Sequence, residues 1–123
     1  GKKELIFATH SNTDVDKKSV EQAISPNWIH SLDASHMFCT LHRALGYGLY
    51  QFSMVHDSFG CPAPDMSILR DLIREEFYEM HKENQLQKFC EDVEEKSGLQ
   101  LPEPPKRGDL DIRGVLESDY LFA

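Results

Sequence analysis

Basic residues are scarce in this sequence. Thirteen Lys and Arg stand against 21 Asp and Glu, a formal net charge of −8. A free-standing nucleic-acid binder normally carries a basic footprint, so the whole-chain charge argues against that class. Cysteine is scarce too: Cys39, Cys61 and Cys90 are odd in number and form no Cys-x-x-Cys pair. A disulfide framework in a small secreted domain needs more of them. Reduced thiols and a cytoplasmic setting are therefore expected. No apolar run approaches the ~20 residues of a membrane span, and no charged-then-apolar leader with a cleavage site is seen. Neither a membrane protein nor a secreted precursor is expected. Hydrophobic residues at 40% and aromatics at 10% are too many for a disordered chain. The 123 residues suffice for one ordinary core, burying roughly two-thirds of the unfolded surface. A single domain over 1–123 is the expectation. The first residue is Gly1 rather than Met, which fits a processed or tagged product or a piece of a longer chain.

The acidity is uneven. Residues 1–60 carry five Lys and Arg against six Asp and Glu, whereas residues 61–123 carry eight against fifteen. Five of the six histidines (His10, His30, His36, His42, His56) lie in the first part. There, Leu5-Ile6-Phe7-Ala8 predicts a short strand, and Ser11 to Asp14 a turn that caps a short helix through about Ile24. Ser25-Pro26-Asn27 predicts its end, with Trp28-Ile29-His30 extended. Ser31 or Asp33 is placed to cap the next helix, whose apolar face is Ala34, Met37, Phe38, Leu41 and Leu45, stopped by Gly46 and Gly48.

The period then changes to two. Leu49 to Val55 predicts a strand with Tyr50, Phe52, Met54 and His56 on one face. Phe59-Gly60-Cys61 predicts a second extended run, closed by Pro62 and Pro64, so 49–61 reads as a hairpin with an acid at its tip. Two amphipathic helices follow: Met66, Leu69, Ile73, Phe77 and Met80 behind Asp65 as cap, then Leu86, Phe89, Cys90 and Val93 closed by Gly98. Residues 99–109, rich in proline, predict a semi-rigid linker. The apolar tail 110–123 is expected to dock.

Asp57 is the sharpest local feature. A carboxylate ending an apolar strand between His56 and Ser58 is either an ordinary turn residue or a metal ligand held at a sheet edge. His36-x-x-Cys39-x-x-His42 falls within a ~120° sector of one helix. Zinc there would need a fourth ligand, and adjacent helical ligands usually stand four apart; a polar or half-buried face is preferred. The His56-Asp57 pair invites comparison with HD phosphohydrolases, but that pair lies on a helix in an all-helical fold, whereas here it ends a β-type run. Trp28 reads as core, and Glu91 to Glu95 as a solvated helix face.

Several segments together resemble one family. Val55-His56-Asp57-Ser58-Phe59-Gly60 is similar to the motif C hairpin of the single-subunit, bacteriophage-type DNA-dependent RNA polymerases. Pro26-Asn27-Trp28-Ile29-His30-Ser31, with the residues to His36, resembles the family's Pro-Asn-aromatic-aliphatic-His-Ser segment and the helix after it. Leu110 to Ala123, including the terminal Phe122-Ala123, resembles the family's C-terminal end. Order and spacing agree across nearly the whole chain. The resemblance implies that Asp57 is one of two palm aspartates holding catalytic Mg²⁺. It implies that His30 reaches the minor groove of the hybrid near the primer end. His56 and Ser58 would support the hairpin, and Phe122 with the Ala123 carboxylate would belong to a tail folded back near the active centre.

The second metal aspartate (motif A) and the helix bearing the Lys and Tyr for the incoming nucleotide (motif B) have no counterpart in these residues. The resemblance therefore implies the C-terminal part of a polymerase. Its partners would be the upstream remainder, a DNA template, nascent RNA and NTPs, without a membrane. The expected fold is α+β: a small antiparallel hairpin or sheet of a polymerase palm, covered by helices, with a docked tail. Two alternatives stand beside it. One is a metal-dependent, HD-like phosphohydrolase, favoured by His56-Asp57 in mid-helix. The other is a non-catalytic acidic interaction domain, favoured by an Asp57 buried away from any cleft.

Overall fold

The computed structural model describes residues 14–121. The predicted strand Leu5–Ala8, most of the turn at 11–14, and Phe122-Ala123 lie outside the described residues. The fold is α+β: four α-helices and one two-stranded antiparallel sheet among the described residues. None of the helices is long and apolar enough to cross a membrane. The chain divides into two compact units, Gly1–Ser31 and Leu32–Ala123. The first helix, α1 (Lys17–Gly46), contributes its opening residues to one unit and the rest to the other.

In the first unit α1 starts behind Asp16. Its carboxylate accepts hydrogen bonds from the backbone N–H of Lys18 at 3.1 Å and Ser19 at 3.3 Å, and from the Ser19 hydroxyl at 2.7 Å. These bonds, Ser19's first, hold the Asp16 carboxyl below its usual pKa. The cap therefore lies just beyond the turn that the sequence suggests. Pro26 does not end the helix, and Trp28-Ile29-His30 is helical rather than extended. Proline removes one N–H and leaves the Gln22 carbonyl without its helical donor, at a cost of about 3 kcal/mol. The residues on both sides keep hydrogen bonds of their own, so the helix runs on. Ser31 and Asp33 accordingly sit inside α1 and cap nothing.

In the second unit the buried face of α1 is His36, Thr40 and Ala44, spaced four apart. The expected apolar face is only partly used. Ala34, Met37 and Leu41 are half-buried, while Phe38 and Leu45 are exposed, Phe38 by 61%. The reason is the partner helix α2 (Met66–His81), which meets α1 through polar groups. Arg43 donates to Glu75 at 2.7 Å and Glu76 at 2.9 Å, and the His36 ring bonds the Ile73 carbonyl. Those contacts rotate the polar side of α1 inward.

Gly48, with φ of +81°, turns the chain out of α1 as expected. Leu49 donates its N–H to the Ala44 carbonyl at 3.0 Å and enters the core with Ala44, Leu69, Leu72 and Ile73. The strand is shorter than the apolar run: β1 is Ser53–Val55 and β2 is Ser58–Gly60. Their register pairs Ser53 with Gly60, Met54 with Phe59 and Val55 with Ser58. Phe52 and Phe59 pack on the core while Ser53 and Val55 face outward, as period-two alternation requires.

A 3₁₀ turn, Ala63–Asp65, runs directly into α2. Asp65 occupies the N-cap position of α2, but its side chain makes no capping bond. The preceding turn takes over that place. Helix α3 (Gln85–Ser97) is capped by the Asn84 side chain accepting from Gln87 N–H at 3.2 Å, and Gly98 closes it in the left-handed conformation. Residues 99–109 carry no regular structure, yet they are tied down. The Leu101 N–H reaches Glu94 at 2.7 Å, and Arg107 donates to the carbonyls of His81 and Lys82 at the end of α2. The tail docks. Its one helical turn, α4 (Gly114–Glu117), lies against α2, and Leu121 packs on the core.

Candidate active site

The hairpin fixes Asp57 by a two-residue turn. His56 and Asp57 are the turn residues, and His56 takes φ of +53°, in the left-handed region. A non-glycine there costs conformational energy of order 1 kcal/mol. The tight register of β1 and β2 over-determines that geometry. Asp57 is exposed at the tip rather than buried or mid-helix. The phosphohydrolase context is thereby lost, because His56-Asp57 lies in a β-turn.

A cleft of about 540 Å³ opens beside the tip. Asp57, Ser58 and Phe59 line it from the hairpin, Arg70 and Arg74 from α2, and Asp119 and Leu121 from the tail. The sequence reading singles out Asp57 and Ser58 here, and the structure brings them together. His56 points elsewhere: its Nδ1 lies 3.8 Å from the Asp33 carboxylate on α1, with both groups substantially exposed. Such a pair is weak in energy but gives the turn a second anchor. Asp33 thus approaches the hairpin instead of capping a helix.

His30 is exposed on α1 in the first unit. Phe122 and Ala123 lie outside the described residues. The His36, Cys39 and His42 set does not act together: His36 is buried, and Cys39 and His42 are exposed. Among the described residues no three His, Cys, Asp or Glu groups converge as a metal site. His36 instead serves the hairpin. Its Nε2–H donates to the Ile73 carbonyl at 3.0 Å, and its ring meets Phe59 and Phe77 edge-on at 5.9 and 5.6 Å. Burial lowers its pKa, with the nearby His81 acting the same way against the Ile73 bond, Glu76 and Asp33.

The sequence reading missed Arg70, Arg74 and Asp119. One signal was available. Arg74 directly follows Ile73 on the buried side of α2, and an arginine inside an apolar face marks something that it must hold.

Comparison with known proteins closes the question of kinship. A sequence model of DNA-dependent RNA polymerase matches residues 2–99. A DNA-directed RNA polymerase of Enterobacteria phage K11 is 31% identical over 97% of this chain and 14% of its own length. DNA-directed RNA polymerase 2B, chloroplastic/mitochondrial, of Nicotiana tabacum is 42% identical over 97% of this chain and 12% of its own. DNA-directed RNA polymerase 1A of Nicotiana tabacum is 39% identical over 95% of this chain and 76% of its own. The chain thus spans only 14% of the phage relative and 12% of the organellar one. With four-fifths of its residues under one family model and relatives of this identity along its length, the chain belongs to the phage-type, single-subunit DNA-dependent RNA polymerases.

Proposed function

We propose that residues 1–123 are the C-terminal palm portion of a DNA-directed RNA polymerase. In this reading the chain contributes Asp57 to template-directed nucleotidyl transfer from NTPs, together with an upstream remainder carrying motifs A and B. DNA template and nascent RNA are its other partners, and the whole works in the cytoplasm. The observation that carries the reading is the exposed Asp57 carboxylate on a sharply held turn, facing a cleft, in a member of this family.

The donor chemistry suits Mg²⁺. Asp57 offers a hard carboxylate oxygen, and magnesium takes few carboxylates from a protein. One carboxylate is a contribution to a site rather than a site, in line with the absence of any three-ligand cluster among the described residues. Held there by Asp57 and a second aspartate from upstream, Mg²⁺ would supply positive charge for the triphosphate and ease deprotonation of the attacking hydroxyl. What this chain's residues do is positional. The hairpin register presents Asp57, His56 anchors the turn through Asp33, and Ser58 stands beside the carboxylate at the cleft. In the same reading His30 makes a minor-groove contact to the hybrid, and Phe122 and Ala123, outside the described residues, would belong to a tail folded back near the active centre.

Asp57→Asn in the complete polymerase tests the reading. It keeps size and turn propensity while removing the charge. Single-turnover extension of a preformed hybrid should fall at least ~10³-fold, about 4 kcal/mol of transition-state stabilisation, with template affinity held. His30→Ala should leave a slower but active enzyme, because a groove contact positions without touching the metals. Near-normal extension by Asp57→Asn would make Asp57 an ordinary turn residue.

A further inference from the structure

The cleft beside Asp57 has a wall that this chemistry leaves unused, and Arg74 is part of it. Arg74 is 6% exposed, and what its Nη2 meets is a backbone carbonyl rather than a carboxylate. A guanidinium stays charged at any working pH. Burying it without a counter-charge is costly, and a methionine or leucine would fill the space without that penalty. Among the described residues its side chain bonds the tail: Nη2 donates to the backbone carbonyl of Ser118, the residue that ends α4. Its Nε is buried with no partner among the described residues, which leaves the Ser118 carbonyl as the contact the guanidinium makes there. One helical turn earlier, Arg70 approaches Asp119 at 3.8 Å. Beyond Ser118, Asp119 and Leu121 line the same cleft as Asp57 and Ser58.

We propose that Arg74 is a positioning residue for the Asp57 site: it fixes the C-terminal tail at Ser118, and the tail so held shapes the cleft beside the hairpin tip. The inference rests on the reading of Asp57 as a catalytic carboxylate. It adds the means by which α2 sets the tail wall of that site. A backbone carbonyl is a suitable grip, because it holds the tail's path whatever side chains the tail carries. A charged donor makes that bond stronger than a neutral one would.

The test uses the complete polymerase with Arg74→Met, Arg74→Lys, a tail deletion removing 114–123, and the deletion combined with Arg74→Met. Amide hydrogen exchange is followed in 114–121 and, as reference, in α2 and α3. Arg74→Met should speed exchange in the tail about tenfold or more while α2 and α3 keep their protection. It should slow single-turnover extension about tenfold at unchanged template affinity. Arg74→Lys, which retains one charged donor, should recover part of both effects, and it serves if the methionine variant does not fold. In the tail-deleted enzyme, Arg74→Met should add no further loss, because the two changes remove one interaction. Unchanged tail exchange overturns the proposal, whatever Asp57→Asn does. Faster tail exchange with normal extension overturns the link to the site. Equal loosening of α2 and α3, or fully additive losses, makes Arg74 a core residue only.

Discussion

His36→Ala should destabilise the second unit by about 3 kcal/mol, and the structure supplies each part of that figure. The ring is 3% exposed and donates to the Ile73 carbonyl at 3.0 Å; losing a buried hydrogen bond of this kind costs about 1 kcal/mol net. Its two edge-on contacts, with Phe59 on β2 and Phe77 on α2, are together worth about 1–2 kcal/mol beyond area. The cavity left by truncation adds roughly another kcal/mol unless the helices close over it. Because Phe59 follows Asp57 by two residues, the hairpin should loosen along with the core. Urea unfolding by circular dichroism reads the midpoint shift, and exchange of the 53–60 amides reads the hairpin. The pH dependence gives a second check. Burial lowers the His36 pKa in the folded chain below its ordinary 6.5. Between the lowered value and 6.5 the unfolded chain binds more protons, so stability rises with pH across that window. The contribution is complete above 6.5 and is lost as pH falls through the folded value. His36→Gln should abolish that slope. A destabilisation under about 1 kcal/mol, or an acid slope unchanged in His36→Gln, would refute this role for His36.

The other expectations are smaller. The Thr40 hydroxyl is fully buried without a partner among the described residues, so Thr40→Val should be neutral or stabilise by up to ~1 kcal/mol; a clear loss in the denaturation midpoint would contradict it. A Cβ on Gly60 would stand 2.9 Å from the Ser53 hydroxyl, which can rotate away, so Gly60→Ala should cost less than ~1 kcal/mol. A larger loss that Ser53→Ala fails to rescue would show that the strand backbone itself is too close. Arg43→Met should cost about 1 kcal/mol at low salt and less at high salt, since its pairs with Glu75 and Glu76 are partly exposed. A salt-independent loss would point to packing instead. The purified 123-residue chain should show no template-dependent incorporation, because one carboxylate does not make a two-metal site; any incorporation above a no-protein control would overturn that.

The site was more legible in the sequence than the helix that frames it. Alternation through Phe52, Met54 and Phe59, with Gly60 and Pro62 beyond, left little freedom for the hairpin, because a one-residue slip would expose both aromatics. Gly48 and Gly98 stood where left-handed backbone was needed. Pro26 predicts an end that does not come, because its cost is one hydrogen bond within a long helix. The apolar face of α1 misled for a different reason. Periodicity identifies a face that some surface covers, and says nothing about which chain supplies the surface. Within this unit the covering helix α2 offers Glu75, Glu76 and the Ile73 carbonyl, which select Arg43 and His36. Phe38 and Leu45 are left exposed, as are Val20, Ile24 and Ile29 in the first unit. The place of Arg74 inside the buried face of α2 is a signal, but its partner is illegible: a backbone carbonyl 44 residues away leaves no mark in a sequence.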